Sequence, residues 1–181
     1  MRFAAGDNAT AMTTLPRPLA GLPPVHDSGA RLLILGSFPG VASLAASEYY
    51  AHPRNLFWPA LSLLTGDDFT ALRYRTRLAR VRRHRIAIWD VIGRCTRRGS
   101  LDGAIRDAVE QDFAAFVAGL PELRAVAFNG ALAATREPWF RDRGFRTYRL
   151  PSTSPAYAAL SRDRKLAAWQ VLAVELSDHS R

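Results

Sequence analysis

The hydrophobic pattern changes period along the chain, and the changes outline its elements. Short continuous apolar runs stop abruptly at turn residues: "RLLILG" at 31–36, "IAIWDVI" at 86–92 and "RAVAFNG" at 124–130. Runs of this length bounded by glycine or polar residues predict strands buried on both faces. A fourth strand is predicted in "FRTYRLPSTSPA", running into a Ser/Pro-rich loop. Between the strands the apolar positions recur at helical spacing. "FWPALSLLTG" predicts a helix with a glycine stop, and "FTALRYRTRLARVRRHR" predicts a basic amphipathic helix. "SLDGAIRD" predicts a helix start capped by Ser100, and "QDFAAFVAGLPEL" predicts another helix. "ALAATREPWF" predicts a short helix broken near Pro138, and "RDRKLAAWQVLAVEL" one long C-terminal helix.

Strands alternating with helices predict a parallel sheet covered on both faces. In such sheets ligands bind outside the carboxyl ends of the strands. The loops at 36–58, 128–130 and 151–157, together with Trp89-Asp90, are therefore expected to converge. Residues 1–20 are rich in Pro, Gly, Ala and Thr and predict a poorly ordered extension, leaving residues 21–181 as one domain.

Composition narrows the chemistry. The 181 residues carry one cysteine, Cys95, so an internal disulfide, an iron–sulfur cluster or a multi-cysteine zinc site is excluded. The four histidines are scattered without metal-ligand spacing. No metal and no cofactor are expected. No apolar run reaches the roughly 18 residues of a membrane span, and residues 1–25 lack the apolar segment of a secretory signal. A reducing cytoplasm fits these features. Net charge is +9, and Lys165 is the only lysine beside 24 arginines. Such a surface suits a polyanion such as nucleic acid. An Ala- and Arg-rich composition bias explains the same numbers, and charge alone leaves both open.

The converging loops carry the candidate chemistry. "GSFPG", Gly36 to Gly40, lets backbone N–H groups approach an anion closely, or is a plain turn. It is neither a phosphate-binding P-loop nor a nucleophile elbow. In "EYYAHPRNLFW" a tyrosine offers a stacking platform for a planar base and Arg54 a phosphate partner, while Asn55 offers an amide. Phe57 and Trp58 also read as core. In "FNG", Asn129 is either a turn former or a reader of a heterocycle through its amide. "LPSTSPA" presents hydroxyl and N–H donors suited to a DNA phosphate, or caps the final helix. Asp90, a carboxylate at a strand end, is read as a helix cap or a partner for Arg94 in preference to a catalytic group.

Together these blocks resemble the uracil-DNA glycosylase superfamily, and within it the hypoxanthine-DNA glycosylase (DNA-deoxyinosine glycosylase) family. "LILGSFPGVASLAASEYYAHPRNLFW", "WDVIGRCTRRGSLDGAIRD", "DFAAF", "FNGALA" and "LPSTSPA…KLAAW" follow that family's order, over about residues 20 to 172. Mismatch-specific relatives share a similar "G-x-N-P-G … F-A-x-P-x-N-R-F-W" arrangement. The resemblance implies a three-layer α/β/α sandwich on a central four-stranded parallel sheet. It implies a monofunctional, metal-free hydrolase that removes hypoxanthine, and in one alternative uracil, from double- or single-stranded DNA. It implies a monomer beside the bacterial nucleoid.

Residue by residue, Gly36, Ser37, Phe38, Pro39 and Gly40 match the first superfamily motif. Tyr50 falls where relatives stack an aromatic on the flipped base. Ser152, Thr153, Ser154 and Pro155 match the DNA-gripping loop. Ser37 stands where many relatives carry a catalytic Asp or Asn, and 150–156 lack the histidine many relatives carry there. The hypoxanthine family shares both absences, and its catalytic amide corresponds to Asn55. The expected sites are thus Asn55 and Ser37 for catalysis, and Gly36, Phe38, Tyr50, Phe57 and Asn129 for the base. Pro39, Gly40, Arg54 and Ser152–Pro155 are expected on DNA. A uracil-preferring enzyme, a non-catalytic nucleic-acid-binding module and a nucleotide-binding enzyme are the competing readings.

Overall fold

A computed structural model describes residues 17–177. Leu19–Ala20 forms β1 and Leu32–Gly36 forms β2. Three helices follow: α1 (Val41–Ala46), α2 (Phe57–Thr65) and α3 (Tyr74–Arg83). Next come β3 (Ile86–Asp90), β4 (Ile92–Thr96), a 3-10 turn at Asp102–Ala104 and β5 (Arg106–Glu110). Then come α4 (Phe113–Ala118), β6 (Ala125–Asn129), α5 (Ala131–Ala134), α6 (Glu137–Arg141) and β7 (Arg146–Leu150). The described chain closes with α7 (Arg162–Trp169), a 3-10 turn and α8 (Ala173–Leu176).

The main sheet has four parallel strands in the order β3-β2-β6-β7. β2, β3 and β6 are buried at all five positions, so both faces need cover and the runs are continuously apolar. The two-residue period splits them between two cores. Leu32, Ile34, Ile86 and Ile88 pack with Phe57, Trp58, Leu61, Val81 and Trp169 on the side of α2, α3 and α7. Leu33, Leu35, Ala87, Trp89 and Phe128 pack with Phe113, Ala133 and Phe140 on the side of α4, α5 and α6. This is the expected three-layer sandwich. β7 is the half-exposed edge, where Arg146 pairs with Glu175 and Arg149 with Glu137.

The order of connection reverses between the parallel neighbours β2 and β6. From β2 the chain continues to β3 on one side, and from β6 to β7 on the other. That reversal opens a crevice between the carboxyl ends of β2 and β6.

Four expectations are corrected. The run after Trp89 is not one strand: the chain turns at Val91 and β4 pairs antiparallel with β1 and β5 in a separate small sheet. Residues 100–107 start no α-helix. The segment is drawn into the strand ladder with β4 instead, and the Ser100 hydroxyl accepts from the Val41 N–H at the start of α1 (3.0 Å). α3 begins only at Tyr74, because the Asp68 carboxylate holds Thr70 and Ala71 N–H groups in a turn. The C-terminal helix is interrupted at 170–172. Of the expected N-terminal extension, residues 1–16 lie outside the described residues, while Leu19–Ala20 pairs with β4.

Candidate active site

The carboxyl ends of β2, β3, β6 and β7 meet around one cleft of about 1300 Å³. Gly36, Asp90, Asn129 and Leu150, the last residues of these strands, all line it. So do residues 37–40, Tyr50, Arg54, Asn55 and residues 151–157. The loops expected to converge do converge.

The turn after β2 is held by its carbonyls. Those of Gly36 and Ser37 accept from the N–H groups of Val91 and Ile92, and Pro39 O accepts from the Arg97 guanidinium. The Ser37 hydroxyl donates to Asp102 (2.7 Å), so Ser37 anchors the 97–103 loop. Gly36 is required by space. A Cβ there would lie 2.4 Å from the Asp90 Oδ1 and 3.2 Å from the Tyr50 hydroxyl. Asp90 and Tyr50 therefore close in on the strand end that lacks a side chain.

Tyr50 adopts φ 54°, a left-handed conformation that costs an aromatic residue free energy unless its surroundings impose it. The surroundings do. Its ring stacks on Phe57 (centroids 3.7 Å, interplanar 13°) and meets Trp58 edge-on. Its hydroxyl accepts from Asn129 Nδ2 (3.3 Å). Burial pushes its pKa well above the usual tyrosine range, so the hydroxyl stays neutral. Tyr50 thus lines the cleft as a plane backed by a second ring. The base contact expected for Phe57 is corrected, because Phe57 is fully buried behind Tyr50 and does not line the cleft. Tyr49 belongs to the core, its hydroxyl donating to Leu22 O. Phe38 borders the cleft with a largely buried ring under the Arg97 guanidinium.

Asn55 closes a tight turn. Its N–H donates to His52 O (2.8 Å), and its Oδ1 accepts from the Phe57 N–H (3.0 Å) at the start of α2. That bond fixes which end of the amide is oxygen and identifies Nδ2 as the remaining donor. Leu56 N–H donates to Thr153 O (3.0 Å), which ties this turn to the 151–157 loop.

Across the cleft, Asn129 and Thr153 bond twice: Asn129 Nδ2 donates to Thr153 Oγ1 and Thr153 N–H to Asn129 Oδ1, both at 2.9 Å. With Tyr50 this engages both amide hydrogens of Asn129. In this arrangement the Asn129 amide braces Tyr50 against the 151–157 loop. Thr153 is 1% exposed, with its side chain bonded to Asn129. Gly130 has φ 103°, and a Cβ there would press Ser152 at 3.1 Å.

Three contributors were missed in the sequence. Lys165 is buried and donates to Ser154 O (3.0 Å) and to Tyr157 O, and burial lowers its pKa. One signal existed: it is the only lysine in an arginine-rich chain, and a compact ammonium fits two carbonyls where a planar fork does not. Trp169 donates its indole N–H to Pro151 O (3.1 Å). Arg97 is largely buried under the 36–40 turn, with its Nε and Nη1 unpartnered.

Asp90 is neither a cap nor a partner of Arg94, which is exposed. The carboxyl is 4% exposed and its Oδ2 has no hydrogen-bond partner. Burial pushes its pKa up to about 7, the Asp102 charge adds to the rise, and Arg97 opposes it.

Residues 23–173 match the family model of the Uracil DNA glycosylase superfamily. The chain belongs to that superfamily. Two relatives named "Hypoxanthine DNA glycosylase" are similar to it. One, from Methanosarcina barkeri, is 37% identical over 145 residues, covering 80% of this chain and 92% of the relative. Another, from Methanosarcina acetivorans, is 35% identical over 152 residues, covering 84% and 96%. The solution NMR structure of a candidate uracil DNA glycosylase from Methanosarcina acetivorans aligns with a TM-score of 0.80 at 34% identity. It covers 88% of this chain and 99% of that one. Among the described residues no group of three His, Cys, Asp or Glu side chains could hold a metal ion. No described helix is long and apolar enough to cross a membrane.

Proposed function

We propose that the protein is a DNA glycosylase that hydrolyses the N-glycosidic bond of deaminated bases, hypoxanthine first, and so initiates base excision repair. The observation that carries this reading is the Tyr50 plane, held in a strained backbone conformation and lining, with Asn55, the cleft formed by all four strand ends. Its support is the pair of hypoxanthine DNA glycosylase relatives that match most of the chain.

The target nucleotide flips out of the duplex, at a cost of a few kcal/mol that is smallest for a mispaired base. The base stacks on Tyr50. Phe57 and Trp58 keep that ring rigid, so little ordering is needed when the base arrives. The glycosidic bond breaks toward an oxocarbenium-like sugar. Asn55 positions the water through its amide and stabilises the transition state; an amide is too weak a base to remove a proton fully. N–H groups of the 37–40 turn, at the cleft edge, offer donors to the departing base. Arg54, Ser152 and Ser154 meet DNA phosphates, which position the strand without reading sequence. The product is an abasic site, and the reaction is monofunctional.

Asn55 also accepts the Phe57 N–H at the start of α2, and the experiment separates the two roles. In a single-turnover assay on a labelled hypoxanthine duplex, read by alkali cleavage, Asn55→Ala is expected to lower excision by at least about 10²-fold while DNA binding is retained. Loss of that hydrogen bond lowers stability by about 1 kcal/mol. Asn55→Asp keeps an acceptor for the Phe57 N–H and is expected to melt like the wild type. Near-normal excision by Asn55→Ala would overturn the assignment. Parallel duplexes with uracil, xanthine and normal bases rank the substrates.

A further inference from the structure

Four features of the cleft floor converge on the unpartnered carboxyl of Asp90. It ends β3 beside the β2–β6 reversal and lines the cleft. Its Oδ2 is buried without a hydrogen-bond partner, although buried polar atoms in native proteins are almost always paired. Its Oδ1 and the Tyr50 hydroxyl lie next to the empty Cβ position of Gly36, so the carboxyl sits near the polar end of the Tyr50 plane. The other nearby amide, Asn129, already has both hydrogens engaged with Tyr50 and Thr153.

The substrate chemistry meets this arrangement. Hypoxanthine, like guanine, carries two acceptors on one edge, N7 and O6, and only a donor complements them. Among the side chains around Tyr50, a neutral carboxylic acid supplies that donor. A purine departing through N9 leaves most easily when N7 takes up a proton, because the departing base is then neutral.

We propose that Asp90, as a neutral carboxylic acid, is the general acid that protonates N7 of the flipped hypoxanthine as its glycosidic bond breaks. The C1′–N9 bond breaks with its electron pair going to the purine, and the Asp90 proton passes to N7. Hypoxanthine leaves neutral, and the Asp90 carboxylate now faces the cationic sugar. Water adds to C1′, and the proton it gives up restores the acid. Asp90 therefore acts on the leaving group while Asn55 holds the water, and a pyrimidine, which has no N7, gains nothing from it.

The surroundings keep Asp90 neutral near pH 7. Burial is the main cause and the Asp102 charge adds to it. Among the described residues Arg97 is the cation that opposes the rise. The Tyr49 and Tyr50 hydroxyls, both pushed up by burial, stay neutral over the same range.

The inference rests on the glycosylase reading, and the test separates the two. Single-turnover excision of hypoxanthine is measured across pH for the wild type and Asp90→Asn, with thermal melting as a check of folding. The wild-type rate is expected to fall about tenfold per unit once pH passes above about 7. Asp90→Asn is expected to excise at least about 10²-fold more slowly on the low-pH plateau and to lack the falling limb. Binding of a duplex carrying uncleavable 2′-fluoro-deoxyinosine stays within about threefold, since general-acid catalysis acts on the transition state. A duplex carrying 7-deazahypoxanthine offers no N7 to protonate, and its excision by the wild type is expected to be at least about 10²-fold slower.

Excision by Asp90→Asn within about threefold of wild type, a falling limb retained in that variant, or near-normal excision of the 7-deaza substrate by the wild type would each overturn the proposal. If Asp90→Asn failed to fold, the wild-type pH limb and the 7-deaza substrate would still decide. Absence of any hypoxanthine excision by the wild type would instead defeat the glycosylase reading itself.

Discussion

The two walls of the cleft are built in opposite ways. On the β6–β7 side every argued polar group has its partner: Asn129 with Thr153 and Tyr50, Lys165 with the carbonyls of Ser154 and Tyr157, Trp169 with Pro151. On the β2–β3 side the buried Asp90 Oδ2 and two nitrogens of Arg97 have none. A satisfied network holds a loop in one shape. An unsatisfied buried group costs free energy and persists where a ligand or a reaction uses it. On the proposed reading the contrast divides the labour: one wall grips and positions, the other carries chemistry.

Gly36→Ala should break the chemical wall most severely. The new Cβ would lie 2.4 Å from the Asp90 carboxyl, which is buried and has little room to retreat. Hypoxanthine excision is expected to fall by about 10²-fold or more, as for loss of the acid itself. Overpacking should also cost about 1–3 kcal/mol in chemical denaturation. An active Gly36→Ala enzyme would show that Asp90 need not stay where it is.

The pH dependence of stability sharpens the same contrast without using activity. The folded chain raises the pKa of Asp90 from 3.8 to about 7. Its contribution to stability is therefore whole below the unfolded value and is lost as pH rises through about 7. Asp90→Asn does not suffer that loss. Relative to wild type, its melting temperature should gain several degrees between acid and mildly alkaline pH. Parallel pH curves for the two proteins would place Asp90 in a more polar setting than the structure shows.

The gripping wall is tested by Lys165→Met, which keeps the bulk of the stem and removes the donor. The carbonyls of half-buried Ser154 and exposed Tyr157 lose their charged partner, and stability should fall by about 1–3 kcal/mol in urea unfolding. With the 151–157 loop loosened, KM for the duplex should rise several-fold while the plateau rate changes little. A variant that lost its plateau rate instead, with KM unchanged, would show that this wall takes part in the reaction.

Much of this architecture could be read from the amino acids in order. Three apolar runs marked the buried strands, because a sheet covered on both faces leaves no polar position within a strand. Alternation with helices implied the parallel sheet, and the unusual loops at strand ends implied where a ligand sits. The departures at 92–96 and 100–107 share one cause. Short segments with mixed polarity carry little periodicity, and long-range pairing between β4 and β5 decided their conformation.

Roles within the site were legible where a residue type suits one task. Tyr50 and Asn55 stand in a loop that leaves a strand's carboxyl end, and both line the cleft, as that position implies. Sequence alone could not tell Phe57 from a base contact, because adjacent aromatics look alike until packing puts one behind the other. Asn129 read equally well as turn former or base reader, and only the paired bonds with Thr153 showed where its amide points. Asp90 is the clearest case. A carboxylate at a strand end is ordinary in sequence, since its charge state depends on what surrounds it. Depth beneath Gly36, the neighbouring charge of Asp102 and the lack of a partner for Oδ2 exist only after four distant segments fold together. Residue order determined the sheet, the cleft and its inventory of groups, because these follow from local periodicity. Tertiary structure decided which of those groups are engaged and which are left to act, because desolvation and hydrogen bonding are properties of the assembled site.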